Sequence, residues 1–208
     1  MLWERSPALS AALAGPLLAI ALYQRSSRRA LGAMRLALTD PLTELGNHRH
    51  FHERLRDELA EARRRRRNLT VALVDLDDFK AVNDRHGHLV GDRVLRAVAE
   101  ALTSEVRAYD AVGRFGGEEF VVLLAAVDVE GATSTAERLR ARVSAIEVPV
   151  HAPDGPATVS GLTASVGAAV YPAAADDLDD LVLAADAALY DAKRRGRNRV
   201  EVARVLPR

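Results

Sequence analysis

Four acidic side chains stand in two short clusters whose surroundings suit them to one kind of chemistry. Asp75 and Asp77 flank Leu76 directly after an apolar run at 69–74, and Glu118 and Glu119 follow the glycine pair Gly116-Gly117. Carboxylates held close together repel unless a cation lies between them. An all-oxygen donor set selects Mg²⁺ or Mn²⁺, with water and substrate phosphates completing the shell. A cation so placed neutralises phosphate charge and lowers the pKa of an attacking hydroxyl, which is the chemistry of phosphoryl transfer. Each cluster alone also has an ordinary explanation. Aspartate after a strand is a common loop or N-cap residue, and a glycine pair is common hairpin material.

The clusters can act together only if the chain brings them to one end of a sheet. The run at 69–74 is short and almost wholly apolar, as in a strand buried on both faces. Two further strands, at 111–115 and 120–124, are joined across Gly116-Gly117-Glu118-Glu119 at hairpin spacing. Helices are predicted from apolar residues at three- and four-residue spacing: Phe51, Leu55, Leu59 and Ala62; Val94, Leu95, Val98, Ala101 and Leu102; Ala132, Ala136, Leu139, Val143 and Ile146; and Leu178, Leu181, Val182, Ala185, Leu189 and Ala192. Residues 147–156 read as a polar loop, 158–171 as strand material broken by glycines, and 199–203 as a last strand. The order β-α-β-β-α-β, with a trailing strand and helix, predicts a ferredoxin-like, palm-type α/β fold. Its central antiparallel sheet would have helices packed around it, and an N-terminal helix would precede it. In that order the first strand runs beside the hairpin, so both acidic clusters reach one sheet edge.

The chain has 208 residues, with 29 basic and 29 acidic side chains and no cysteine. Zero net charge gives no global field that would draw nucleic acid, and the lack of cysteine excludes disulfides and thiolate metal sites. The five arginines at 63–67 end a helix, where cations complement the dipole, so they are not read as a nucleic-acid patch. Residues 7–23 carry no charge, and Arg25, Arg28, Arg29 and Arg35 come after them. This stretch is read as a membrane anchor or as an apolar helix that packs on a partner, with the arginines placing the C-terminal domain on the cytoplasmic side. The expected division is an apolar segment at 1–24, a linker or stalk helix at 25–39, and one catalytic domain at 40–208.

Residues 75–95, DLDDFKAVNDRHGHLVGDRVL, resemble the substrate-binding signature of the GGDEF family, and Gly116 to Phe120, GGEEF, is an accepted form of its naming motif. The resemblance extends to Asp40-Pro41-Leu42-Thr43 with Gly46-Asn47, to Ala164-Ser165-Val166-Gly167, to the stretch 185–193, and to Gly196-Arg197-Asn198-Arg199. It implies a diguanylate cyclase that condenses two GTP into cyclic di-GMP with Mg²⁺ or Mn²⁺. Asp75, Glu118 and the Leu76 carbonyl match the metal ligands, and Glu119 matches a further acid, either ligand or proton acceptor. Asn83 and Asp92 match the guanine readers. An aspartate can accept from guanine N1–H and N2–H₂ together, a donor pair that adenine lacks. Lys80, Lys193 and Arg197 match the basic residues around the triphosphate, and Gly116 and Gly117 let the backbone approach the nucleotide. His86 and His88 fall in a turn where the family carries His-Gly-His. Asn47-His48-Arg49-His50 departs from the family's usual Asn-Arg-Arg run.

The same resemblance implies one GTP per subunit, so the product forms between two facing half-sites of a homodimer. Arg107 and Asp110, in Arg107-Ala108-Tyr109-Asp110, match the family's Arg-X-X-Asp inhibitory site for cyclic di-GMP, and Arg138 matches a second arginine of that site. The competing reading is a catalytically weak module that binds GTP or cyclic di-GMP.

Overall fold

The computed structural model describes residues 38–152 and 155–203. The apolar segment at 1–24 and nearly all of the linker at 25–39 therefore lie outside the described residues. A compact unit begins at Thr39. No helix among the described residues is long and apolar enough to cross a membrane.

Among the described residues, eight strands and five helices succeed one another: β1 (Gly46–Asn47), α1 (His48–Arg65), β2 (Leu69–Leu76), α2 (Phe79–His86), α3 (His88–Ser104), β3 (Ala111–Gly116), β4 (Glu119–Ala125), α4 (Val129–Ser144), β5 (Val148–Ala152), β6 (Gly155–Val159), β7 (Ala164–Tyr171), α5 (Leu178–Arg194) and β8 (Val200–Val202). Six strands form one sheet in the order β1-β3-β4-β2-β7-β8. Its four inner strands, β3, β4, β2 and β7, pair with one another antiparallel. This is the ferredoxin-like arrangement. The short rims differ, since β1 pairs parallel with β3 and β8 parallel with β7.

β2 is a central strand and is almost wholly buried, which explains its unbroken apolar character. Alternate residues feed two cores. Ala72, Val74 and Leu76 face α2, α3 and α4 with Phe120, Val122 and Leu124. Leu69 and Val71 face α1 and α5 with Val121 and Leu123. The arginine run lies where its sequence position predicts. Arg63, Arg64 and Arg65 occupy the last turn of α1, and Arg66 caps it in the left-handed region at φ 51°.

The stretch 147–156 is not a loop. It holds β5 and enters β6, a separate two-stranded hairpin in which Val148 faces Val159. Val148 and Val150 are buried while Pro149 between them is exposed. That period-two alternation outweighs the Pro and Gly content that suggests a loop.

Candidate active site

The end of β2 and the β3–β4 turn meet at one end of the sheet. Asp75 lies opposite Glu119 across β2 and β4, and the Leu76 N–H donates to the Glu118 carbonyl at 3.3 Å. The turn is possible because Gly117 takes φ 52°, a region that an L side chain rarely enters. Glu118 is half-buried and Glu119 exposed. Glu119 lines a cavity of about 150 Å³ with Phe115, Asp186 and Leu189.

Asp75 is only 6% exposed, and a buried carboxylate needs a partner. Lys193 supplies one, its Nζ standing 2.8 Å from Oδ2. The helix carrying Lys193 is seated by Gly167 in β7. A Cβ at Gly167 would lie 2.1 Å from the Leu189 nitrogen and 2.3 Å from the Ala185 oxygen, so α5 rests directly on the sheet and its last turn reaches Asp75. Burial raises the pKa of Glu118, and the charges of Asp75 and Glu119 add to it against the opposing pull of Lys193. Negative charge is thus concentrated where two carboxylates and the Leu76 backbone converge. Among the described residues no group of three or more His, Cys, Asp or Glu side chains is arranged to hold a metal ion by itself. Two carboxylates and a backbone carbonyl fit Mg²⁺ or Mn²⁺, which fill their shells with water and phosphate oxygens, better than a cation that needs a full protein cage.

Asp77, the other acid of the first cluster, is taken up by hydrogen bonds within the fold. Its carboxylate accepts from the Thr163 hydroxyl (2.8 Å), the Ser165 hydroxyl (2.7 Å) and the Asn198 N–H (3.0 Å). It ties the start of β7 to the loop of Arg197 and Asn198, both of which have positive φ. Arg197 is exposed and reaches Asp78 at 3.8 Å. Asp77 is legible in the sequence as an acid beside the site; that it clamps a loop 121 residues further on is not.

Residues 77–78 lead straight into α2, and α2 and α3 form the opposite wall. Gly91 explains how closely they pack: a Cβ there would lie 1.9 Å from Asn83 Oδ1 and 3.2 Å from the Phe79 ring. Asn83 is thereby lodged against the turn of α3 that carries Asp92, and both are half-buried. Lys80, one turn before Asn83, is exposed. His86 and His88 flank Gly87 between the two helices.

Two residues to which sequence reasoning assigns no role hold the glycine turn. Arg114 donates to the Gly117 carbonyl, with Nη2 at 2.6 Å and Nε at 3.1 Å, and Nη1 donates to Asp40 at 3.0 and 3.2 Å. Thr43 donates to the same carboxylate through its N–H and its hydroxyl. Burial would raise the pKa of Asp40, but the bonds from Thr43 and Arg114 outweigh it and hold the carboxyl below its ordinary value. Asp40→Asn should cost about 2 kcal/mol at neutral pH, as expected for a charge-assisted pair. A depressed carboxyl contributes stability above its unfolded pKa of about 3.9 and loses it as pH falls through the lower folded value. Urea unfolding of the two proteins should therefore differ at pH 7 and converge below about pH 4.

At the far end of β3, about 17 Å from Gly116 along the strand, Arg107 and Asp110 form a closed turn. The Asp110 carboxylate accepts from the Arg107 N–H at 3.0 Å and the Ala125 N–H at 3.1 Å. The Arg107 side chain is exposed and bonds the Tyr109 hydroxyl. Arg138 donates to the Glu105 carbonyl at 3.0 Å, two residues before Arg107, so both arginines share one corner.

The sequence profile described as "Diguanylate cyclase, GGDEF domain" matches residues 37–199. Diguanylate cyclase DgcP of Pseudomonas aeruginosa is 44% identical over 174 residues, covering 80% of this chain and 24% of that protein. Diguanylate cyclase DosC of Escherichia coli is 39% identical over 181 residues, 87% of this chain and 37% of that protein. The chain therefore spans about a quarter to a third of the length of these curated relatives. The coiled coil and GGDEF domain of DgcB from Caulobacter crescentus, solved in complex with cyclic di-GMP, superposes with a TM-score of 0.85 at 30% identity, over 93% of this chain and all of that one. Matched over most of its length in sequence and in fold, with the GGEEF turn set beside Asp75, this chain belongs to the GGDEF family of diguanylate cyclase domains.

Proposed function

We propose that the chain makes cyclic di-GMP from two GTP, with two pyrophosphates released, across a pair of facing domains. The observation that carries this reading is the convergence of Asp75, Glu118 and Lys193 at one open end of the sheet, beside the Asn83–Gly91 contact that lodges Asn83 next to Asp92. Asp92 and Asn83 would read the guanine edge. Lys80, Lys193 and Arg197 would meet the triphosphate, and Gly116 and Gly117 would let the backbone come close to it. Asp75, Glu118 and the Leu76 carbonyl would hold Mg²⁺ or Mn²⁺, which supplies charge neutralisation at the phosphates.

Each 3′-hydroxyl oxygen then bonds to the α-phosphorus of the other nucleotide as the bond to pyrophosphate breaks. The hydroxyl proton would pass to a base, a role open to Glu119 if it is not a further metal ligand. One domain lodges one nucleotide, so the rate comes largely from aligning two bound substrates. The test is purified chain with GTP or ATP and Mg²⁺, the products separated by chromatography across a dilution series. Cyclic di-GMP should form from GTP alone, with rate per subunit falling on dilution. No product, or a rate per subunit that stays flat into the monomeric range, overturns the reading.

Gly91→Ala offers a narrower check. Its new methyl would displace the Asn83 carboxamide, so KM for GTP should rise about tenfold, the worth of one displaced hydrogen bond, while the circular dichroism spectrum stays unchanged. The corner of Arg107 and Arg138 would bind the product, since arginine forks suit its phosphates and guanine edges. Arg107→Ala should then relieve inhibition by added cyclic di-GMP and leave the initial rate as it was. Residues 7–23 would anchor the domain to the cytoplasmic face of the inner membrane. A full-length chain that fractionates as soluble without detergent, like one starting near Arg35, would remove the anchor.

A further inference from the structure

Three histidines fall within five residues at the start of α1, His48, His50 and His52, and two of them form a pair that nucleotide condensation does not use. The Asn47 side chain caps α1 by accepting from the His50 N–H at 3.1 Å, which sets the first turn as helix. Residues four apart then share a face. The His48 and His52 rings lie with centroids 4.4 Å apart and Nε2 atoms 3.2 Å apart. Zinc binds imidazole nitrogen at about 2.0–2.1 Å, so two nitrogens on one ion stand about 2.9 Å apart at a right angle and about 3.4 Å apart at the tetrahedral angle. The observed separation falls inside that range.

The surroundings also suit an ion. His48 is exposed and His52 half-buried, so solvent reaches the pair while one ring is held. Phe115 forms a shelf under both, its centroid 4.6 Å from His48 and 6.0 Å from His52. His50 turns instead toward Gly46, where a Cβ would meet its Cδ2 at 2.6 Å. Arg49 is engaged by Glu53 at 3.2 Å, and the charge of Asp179 opposes that of Arg56 at His52.

We propose that His48 and His52 form a two-nitrogen site for a borderline transition cation such as Zn²⁺, completed by water and separate from the oxygen site at Asp75 and Glu118. Imidazole favours zinc and its neighbours over magnesium, so the two sites sort their ions by donor type. Phe115 directly precedes Gly116-Gly117 and walls the cavity that Glu119 lines. An ion on the pair would stiffen the shelf beneath that turn.

The test uses the untagged full-length chain, stripped of metal, without GTP or Mg²⁺, so its outcome does not depend on the cyclase reading. Titration calorimetry should give one equivalent of bound Zn²⁺, and the Cu²⁺ form should show two nitrogen ligands by electron paramagnetic resonance. Excess Zn²⁺ should raise the unfolding midpoint, as any ligand of the native state does. His48→Ala, at an exposed position, should abolish all three signals without altering the metal-free midpoint, and His52→Ala should do the same to binding. His50→Ala and the His86→Ala/His88→Ala pair should leave them intact. Absence of uptake by the unmodified chain, binding that survives His48→Ala, or loss on changing His50, His86 or His88 would each overturn the assignment.

Discussion

Glu118→Ala is expected to cut cyclic di-GMP formation by about 10²–10³-fold, the usual cost of removing one group that stabilises developing charge, without weakening the fold. The two halves of that expectation have one cause. Burial, with Asp75 and Glu119 nearby, raises the pKa of Glu118. A carboxyl raised in the folded state contributes stability below its unfolded pKa and loses it as pH rises through the folded value. Ionising it therefore opposes folding, and the alanine variant should melt at the same temperature or higher above the unfolded pKa. Steady-state rates and thermal unfolding in metal-free buffer measure the two effects separately. A variant that keeps its rate removes Glu118 from the chemistry. A variant that loses rate and stability together makes the residue structural instead.

The second large effect is expected at Asp92. Asp92→Ala should raise KM for GTP by about 10- to 100-fold, the discrimination carried by one bidentate base contact, and should narrow the preference for GTP over ATP. Both effects come from a single loss, because guanine would retain N1–H and N2–H₂ donors with nothing to accept them. Gly91 and Asn83 would be untouched, so the α2–α3 contact remains. Kinetics with both nucleotides decide the matter. Equal losses for GTP and ATP would mean that Asp92 supports the helix pair without reading the base.

How much of the molecule is legible in its sequence depends on distance along the chain. β2, the β3–β4 hairpin and the long helices come from short-range patterns, which are set by burial of one face or of both. The stretch 147–156 misleads because Pro149 and Pro156 mask the alternation of Val148 and Val150, and a two-stranded hairpin offers few positions to count. The pairing of Asp75 with the glycine turn is legible from topology, since the first strand of a ferredoxin-like order must lie beside the hairpin. Arg114 and Asp40 leave no local trace: they are 74 residues apart, and an arginine in a strand carries no mark of the carbonyl that it will hold. Asp77 gives a partial signal, being acidic and adjacent, but its three partners lie 86 or more residues away. The His48–His52 pair is not legible, because the apolar pattern marks that helix only from Phe51 and the structure begins it at His48.

The two rim strands, β1 with two residues and β8 with three, bear on how such domains would associate. A foreign chain that tried to extend the sheet at either rim would find only two or three residues of strand to pair with, and short edge strands are one way natural sheets avoid edge-to-edge aggregation. Among the described residues, a partner copy that met this sheet would dock on turns and helices more readily than on its rims. Contacts of that kind would form and part without unzipping a ladder, which would leave such an encounter reversible.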